Sequence, residues 1–473
     1  MKKIFVIVMS AVMMCTSLYV PVLAEGDVSL LVEDAPVLID EAPATEDGTI
    51  SVVLDGKYIE FDVQPALIND RTMVPVRAIF EALGAEVNWI DETQTVVSKM
   101  GETEVSMKID EKFLTKNGEI VILDVPAQLV GERTLVPVRA ISEAYGCNVV
   151  WNEYTNTVVI VSDLNQVVMA TVNDEGVTVG YFNYVLTQVE SYVMQGLNAS
   201  ADYLKNNWHS SLGDTSFGQY VIDSALEQCV YIKSNAQAAK EKGLELTQAD
   251  KDSIKENCDY LVSYYGEYYD TVVASMSTTP EAIEEFYTDS IYADKYYDYL
   301  VEEGAMSETE IKKYLDDNYI KAKHILFTTM DMQTGMPLSQ EEIDAKKKLA
   351  EETLEKIKKG EDFDTLMKEL SEDPGSAAVP DGYLFTKGEM VEEFETAAYA
   401  LKVNKVSGLV ESDFGYHIIK RVANGEYTEE DINMVKASLV ENNVSATMNT
   451  NKSNAKITAD SNMTSNVVPV GLE

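Results

Sequence analysis

The sequence predicts a multidomain α+β chain: a β-rich module of two repeats, a mainly α-helical domain, then an α/β domain. Three observations carry this. The run Arg71-Thr72-Met73-Val74-Pro75-Val76-Arg77 returns as Arg133-Thr134-Leu135-Val136-Pro137-Val138-Arg139, an offset of 139 − 77 = 62 residues. From Phe182 through Val185, Val189 and Tyr192/Val193, apolar residues recur at helical spacing, and such patterns continue to about residue 318. The chain holds only three histidines, and two of them, His324 and His417, sit inside apolar strand-like runs.

At 473 residues the length suggests about three domains with ample core. Lys plus Arg total 37 against 80 Asp plus Glu, a net charge of -43. Nucleic acid is excluded as a partner, because phosphate binding needs concentrated cations. The charge reads first as solubility and self-repulsion. Attraction to basic unfolded segments or divalent cations is the sharper alternative.

The first 24 residues read as a cleaved leader, residues 1–24: Met1-Lys2-Lys3 is the basic start, Ile4 to Met14 the apolar run, and Val22-Leu23-Ala24 the small-residue cleavage site. The expected location is therefore secreted, at the extracytoplasmic cell envelope. A lipid anchor at Cys15 is the lesser reading, since Met13-Met14 precede it where small residues are expected. No other apolar run reaches the ~20 residues of a membrane helix. The cysteines left after cleavage, Cys147, Cys229 and Cys258, are odd in number and fit no obligatory disulfide framework. Whether Cys229 pairs with Cys258 stays open. No Cys/His metal spacing occurs, so no metal and no cofactor is expected.

Residues 25–47 read as an acidic flexible linker containing Pro36 and Pro43. Residues 48–163 form the repeat module, each unit reading strand, strand, short helix, strand, strand. Proline suits the helix start, and Gly84 and Gly146 suit the left-handed residue after its end. Arg77 and Arg139 read as internal salt-bridge anchors.

The helical domain spans 167–318. Ala239-Lys240-Glu241-Lys242-Gly243-Leu244-Glu245-Leu246-Thr247 has the punctuation of two joined helices. Tyr260, Tyr264, Tyr265, Tyr268 and Tyr269, and again Tyr287, Tyr292, Tyr296, Tyr297 and Tyr299, are either ordinary core or an adaptable binding groove. His209 reads as structural or surface. Residues 428–444, with Ile432, Val435 and Leu439 at helical spacing, are expected to return as a helix onto this domain. Residues 445–473 are Asn/Ser/Thr-rich and are expected to be a flexible tail.

Residues 319–424 hold Lys321-Ala322-Lys323-His324-Ile325-Leu326-Phe327 at one end and Ser412-Asp413-Phe414-Gly415-Tyr416-His417-Ile418 at the other. Between them lie Ser371-Glu372-Asp373-Pro374-Gly375-Ser376 and Gly388-Glu389-Met390-Val391-Glu392-Glu393-Phe394. Taken alone, a buried histidine pair as readily braces a sheet as serves chemistry. The whole constellation, in this order, resembles the parvulin family of peptidyl-prolyl cis/trans isomerases. The resemblance implies an α/β domain with a four-stranded antiparallel sheet. It implies His324, Asp373, Ser412 and His417 as the polar catalytic surround, and Phe385, Met390 and Phe394 as the proline pocket. Spaced four apart, Met390 and Phe394 would share a helix face.

Such a set suits the reaction. Rotation about a peptide bond costs ~18–20 kcal/mol through lost resonance, and Xaa-Pro bonds populate both isomers with slow exchange. A catalyst needs an apolar cup for the ring and a polar surround that favours the twisted amide. No nucleophile is required. The family's usual Gly-Asp-Leu-Gly tract reads Pro380-Asp381-Gly382-Tyr383-Leu384-Phe385 here, with Gly382 where the pocket leucine belongs. The loop after His324 lacks Lys and Arg, so no preference for phosphorylated clients is expected.

The helical opening followed directly by a parvulin resembles the PrsA/SurA-type secreted foldases, whose helical domain is the chaperone. The repeats are similar to the module named after the N-terminal domain of copper amine oxidases. No histidine lies in residues 25–165, so the name brings no copper with it. The implied partners are unfolded or partly folded exported proteins containing Xaa-Pro. Cell-wall polymer is the candidate ligand of residues 48–163, and a homodimer is implied by some members of the family. The alternative functions are a catalytically inactive parvulin-fold chaperone or a cell-envelope binding protein.

Overall fold

The computed structural model describes residues 49–304, 306–331, 334–376 and 378–469. The leader, Cys15 and the acidic linker lie outside them. The chain divides into two compact units, Met1–Leu300 with Ser445–Glu473, and Val301–Val444.

In the first unit the repeats meet strand against strand. Arg71–Pro75 pairs antiparallel with Arg133–Pro137, and Val74 lies opposite its own repeat equivalent Val136. A local two-fold axis therefore passes between them. Short edge strands Ala66–Ile68 and Gln128–Val130 flank the pair. Each central strand turns directly into a helix, Val76–Ala82 or Val138–Ala144, with Pro75 or Pro137 as its N-cap. Proline's fixed φ suits this position. Gly84 and Gly146 follow at φ +85° and +84°. Arg71 pairs with Asp124 and Arg133 with Asp62, each at 2.6 Å, so the arginine of one repeat reaches the aspartate of the other. Arg77 forms an internal ion pair, with Glu81 on its own helix at 3.3 Å.

The symmetry breaks at the outer sheets. Ser51–Leu54 pairs parallel with Thr157–Val161. Their counterparts, Phe113–Lys116 and Thr95–Met100, are separated by Thr103–Lys108. There the chain joining the two strands occupies the slot between them. In the first sheet the strands come from opposite ends of the module, and no joining chain intervenes.

The rest of the unit begins with the hairpin Val168–Val172 and Glu175–Thr178. The helices Val179–Gly196, Phe217–Glu241, Gln248–Tyr265 and Pro280–Glu303 follow. Gly243 at φ +73° ends one helix, and Thr247 with Asp250 forms a capping box that starts the next. In the tyrosine-rich stretches Tyr265, Tyr287 and Tyr296 are buried, Tyr260, Tyr264, Tyr269, Tyr292, Tyr297 and Tyr299 are half-buried, and Tyr268 is exposed. Cys147, Cys229 and Cys258 are free thiols, which closes the open question of a Cys229–Cys258 disulfide. His209 stacks on Tyr154 with ring centroids 4.0 Å apart.

Two expectations about the C-terminal region are corrected. The returning helix runs Glu429–Asn454, beyond the expected 428–444. Its residues Ile432, Val435 and Leu439 pack with Ile311, Leu315 and Tyr319, so the Glu308–Asn318 helix belongs to the second unit and not to the helical domain before it. Residues 445–473 are not a loose tail where described. Met448 and Asn451 join the Phe217–Glu241 helix of the first unit through Tyr231 and Asn235. Ile457–Ala459 then adds a third strand to the hairpin, Val172 opposite Ile457. The polar composition is the means of attachment. Asn462 donates to the Gly56 carbonyl at 2.8 Å, Thr155 donates to Asn466 at 2.8 Å, and Asp460 caps Ser461–Thr464.

The second unit is a sheet in the order Tyr383–Phe385, Ile320–Thr328, Gly415–Val422, Val406–Ser412, with every pair antiparallel. Alternation divides its faces. Ile325, Phe327, Tyr416 and Ile418 pack under the helices Gln340–Lys358 and Phe363–Leu370. Ile320, Ala322 and Ile419 point the other way, toward Phe385, Phe394 and Ala398, the last two from the helix Glu392–Ala400.

Candidate functional site

His324 lies opposite Ile419, and His417 opposite Leu326, so the two histidines are diagonal neighbours on one face of the central strand pair. Both are buried. Their rings lie 5.3 Å apart and 17° from parallel, with Nδ1 to Nδ1 at 3.1 Å. The edge strand Tyr383–Phe385 pairs only with Ile320–Ala322. Beyond it the backbone of Ile320–Thr328 needs other partners. The loop after Leu370 supplies them. Glu372 N–H donates to the Leu326 carbonyl at 2.8 Å, Leu326 N–H to Ser371 Oγ at 3.2 Å, and Thr328 N–H to Glu372 Oε2 at 2.8 Å. That clip carries Asp373 to His324, whose Nε2 stands 2.9 Å from Asp373 Oδ2.

The chain of contacts extends at both ends. Ser412 Oγ lies 2.7 Å from His417 Nε2 and accepts from Phe414 N–H at 3.2 Å. Asp373 Oδ2 also accepts from Ser376 Oγ and Tyr383 Oη, each at 2.7 Å, and Oδ1 from Gly375 N–H at 3.1 Å. A carboxylate only accepts, so His324 presents Nε2–H to it. In the neutral pair His324 Nδ1 then accepts, His417 donates through Nδ1–H, and the Ser412 hydroxyl donates to His417 Nε2. One set of tautomers satisfies every contact.

Electrostatics fit this order. Burial works to raise the Asp373 carboxyl, but hydrogen bonds from His324, Tyr383, Ser376 and Gly375 N–H outweigh it and hold it far below the usual carboxylate range. Burial, with the His324 imidazole beside it, pushes His417 down to about 4 against the opposing pull of Asp373.

Phe394 stands over both imidazoles, centroids 5.2 Å from His324 and 5.6 Å from His417, and near edge-on to each. Phe385 lies 5.8 Å from Phe394. Met390 packs against the same cluster but precedes the helix, which starts at Glu392 behind the N-cap Val391. The expected shared helix face for Met390 and Phe394 is thus a turn followed by a helix. The structure brings together all seven residues singled out from the sequence. Sequence reasoning missed Ser376 and Tyr383. Ser376 ends the Asp373 loop and Tyr383 directly follows Gly382, but residue type alone did not say which hydroxyl would aim at Asp373.

Among known proteins, residues 305–424 match the family described as PPIC-type PPIASE domain, and residues 53–160 the family described as copper amine oxidase N-terminal domain. The chain is 29% identical to Foldase protein PrsA of Caldanaerobacter subterraneus subsp. tengcongensis over 262 residues, 54% of this chain and 72% of that protein. It is 38% identical to Foldase protein PrsA of Geobacillus kaustophilus over 173 residues, 36% of this chain and 53% of that one. It thus spans about half the length of the Geobacillus relative. Among solved structures, PrsA from Bacillus cereus is 23% identical with a TM-score of 0.28, covering 51% of this chain and 88% of that chain. The parvulin of Nitrosopumilus maritimus is 43% identical over 22% of this chain and 97% of its own, with a TM-score of 0.17.

Copper does not fit the N-terminal match. Residues 53–160 contain no histidine, and their one cysteine, Cys147, is buried with its thiol pushed up to about 11. Among the described residues no group of three or more His, Cys, Asp or Glu could hold a metal ion. Residues 305–424 thus match the PPIC-type PPIase family, on a chain whose residues 53–160 match the copper amine oxidase N-terminal family and which is similar to the PrsA foldases.

Proposed function

We propose that this protein is a secreted foldase: its second unit isomerises Xaa-Pro bonds of exported clients, and its helical domain holds those clients while they fold. The observation that carries the reading is the directed hydrogen-bond chain Ser412–His417–His324–Asp373 lying directly beneath Phe394. The apolar wall of Phe385, Phe394 and Met390 receives the pyrrolidine ring. There the amide leaves water, and the charge separation of its planar form is no longer solvated. The fixed hydrogen bonds below hold the cup to one shape and present oriented dipoles to the rotating carbonyl. Nothing in the reaction breaks a covalent bond, so the histidines orient and polarise; they do not attack.

The test is proline-limited refolding of a model client by the full-length chain, wild type beside His324→Ala and Phe394→Ala. Acceleration by the wild type, abolished in both variants, is the expected result. No acceleration by a folded wild type would favour the second reading, an inactive parvulin-fold chaperone, for which the specific observation is Gly382 at the usual pocket leucine.

For the repeat module the proposed ligand is cell-wall polymer. Leu67 and Leu129, 62 residues apart, are both exposed on the outer strands of the shared sheet, which gives the module two equivalent apolar contact points. Retention of the full-length chain on purified wall material, lost in a Leu67→Ser/Leu129→Ser variant, is the expected outcome. Sedimentation of the same sample reports whether the chain is a homodimer.

A further inference from the structure

The departure from the parvulin pattern falls at Gly382-Tyr383, and the structure gives both residues a physical reason. Gly382 has φ +102°, and a Cβ built on it would stand 2.8 Å from the Ala322 carbonyl oxygen. A leucine cannot occupy that point in this backbone. The next residue turns back over the site. Tyr383 lies opposite Ala322, on the face that carries Phe385, and packs with Phe394 and Ile419 in the cup's cluster; Leu384 faces away with Ile311 and Leu315. The Tyr383 ring is 5.8 Å from His324, tilted 68°, and its hydroxyl reaches Asp373 at 2.7 Å.

The opposite side of that contact is shaped to admit the hydroxyl. A Cβ built on Gly375 would fall 2.0 Å from Tyr383 Oη and 3.1 Å from Cζ. Gly375 does not have a positive φ, so its backbone does not call for glycine. The lack of a side chain there leaves room for the phenol.

We propose that Tyr383 replaces the missing leucine as a wall of the proline cup and acts through its hydroxyl as a positioning residue for the Asp373–His324 pair, with Gly375 as its matching recess. The inference rests on the isomerase reading above. It adds a residue outside the seven taken from the family pattern, and it explains why glycine at 382 does not leave the cup open.

The experiment uses the full-length chain and a Xaa-Pro peptide, with Tyr383→Phe, Tyr383→Ala, Gly375→Ala and the Gly375→Ala/Tyr383→Phe double variant. Tyr383→Phe keeps the ring and loses one hydrogen bond to a charged acceptor, so kcat falls about tenfold with KM little changed. Tyr383→Ala also raises KM, because the wall is gone. Gly375→Ala pushes the hydroxyl out and matches Tyr383→Phe. The double variant is no worse than Tyr383→Phe alone, since the clashing oxygen is absent. In the same samples the imidazole nitrogen resonances of His324 move in Tyr383→Phe.

The inference is overturned if Tyr383→Phe retains wild-type kcat and unshifted His324 resonances, or if the double variant is clearly slower than Tyr383→Phe alone. Should the wild type show no isomerase activity, the proposed function fails by itself. The His324 resonances then decide the positioning role: movement in Tyr383→Phe supports it, and no movement removes it.

Discussion

The repeat module and the isomerase domain both place acidic residues beside cationic or imidazole partners, yet they use them in opposite ways. In the module Arg71–Asp124 and Arg133–Asp62 are related by the local two-fold axis, and about half or more of each side chain is exposed. In the isomerase domain Asp373 and the two histidines are largely buried, and no second copy of the arrangement exists among the unit's described residues. Water competes for every contact in the first case and for few in the second. Exposed, repeated pairs set register and cost little to lose. A buried, singular chain fixes tautomers and is expensive to break. Symmetry is therefore a sign of architecture here, and its absence marks the site proposed for the chemistry.

The comparison can be broken most forcefully at Phe394. Phe394→Ala removes a buried ring and should destabilise the second unit by about 3 kcal/mol in urea unfolding, while refolding catalysis disappears. Asp373→Ala comes next. It leaves the donors of His324, Tyr383 and Ser376 without their acceptor, at a cost of about 2 kcal/mol, and should slow isomerisation about tenfold. An unchanged rate in a folded Asp373→Ala protein would turn the buried chain into a brace, and the distinction from the module would lose its meaning.

A third measurement uses pH. His417 is held down at about 4, against 6.5 as its ordinary value. Between these values the unfolded chain binds more protons than the folded one, so stability falls as pH drops from about 6.5 toward 4. Above that window His417 contributes no slope. Asp373, also held down, adds a loss only below the usual carboxylate range. Urea midpoints of wild type and His417→Gln should therefore converge as the pH is lowered; parallel curves would contradict the assignment. The smallest effect is expected at the module. Asp62→Ala and Asp124→Ala should each shift the unfolding midpoint barely at all, and additively, because both partners are solvent-exposed.

Much of this was legible in the sequence because it was written in spacing. The 62-residue offset carried through to the pairing of Val74 with Val136. His324 and His417 lay in apolar strand-like runs, and the resemblance implied that they share one site. What was not legible depended on where a side chain's hydrogen bond goes. Tyr383 reads as a strand residue until its hydroxyl is seen on Asp373. The stretch after Ser445 reads as loose by composition, yet Asn462 and Asn466 spend their amides on the first unit's backbone and side chains. Polar composition argues against a core but says nothing about docking. The Glu308–Asn318 helix was placed with its sequence neighbours, when its apolar positions are satisfied by Val435 and Leu439 from much further along.

The strand Ile457–Ala459, which completes the hairpin begun at Val168, has a consequence for order of assembly. A chain that emerges N-terminus first exposes every residue of Val301–Val444 before it exposes that strand. The inserted unit can close while the unit around it still has an open sheet edge. The larger unit is then the last to be completed, with the sheet that carries His324 and His417 already formed.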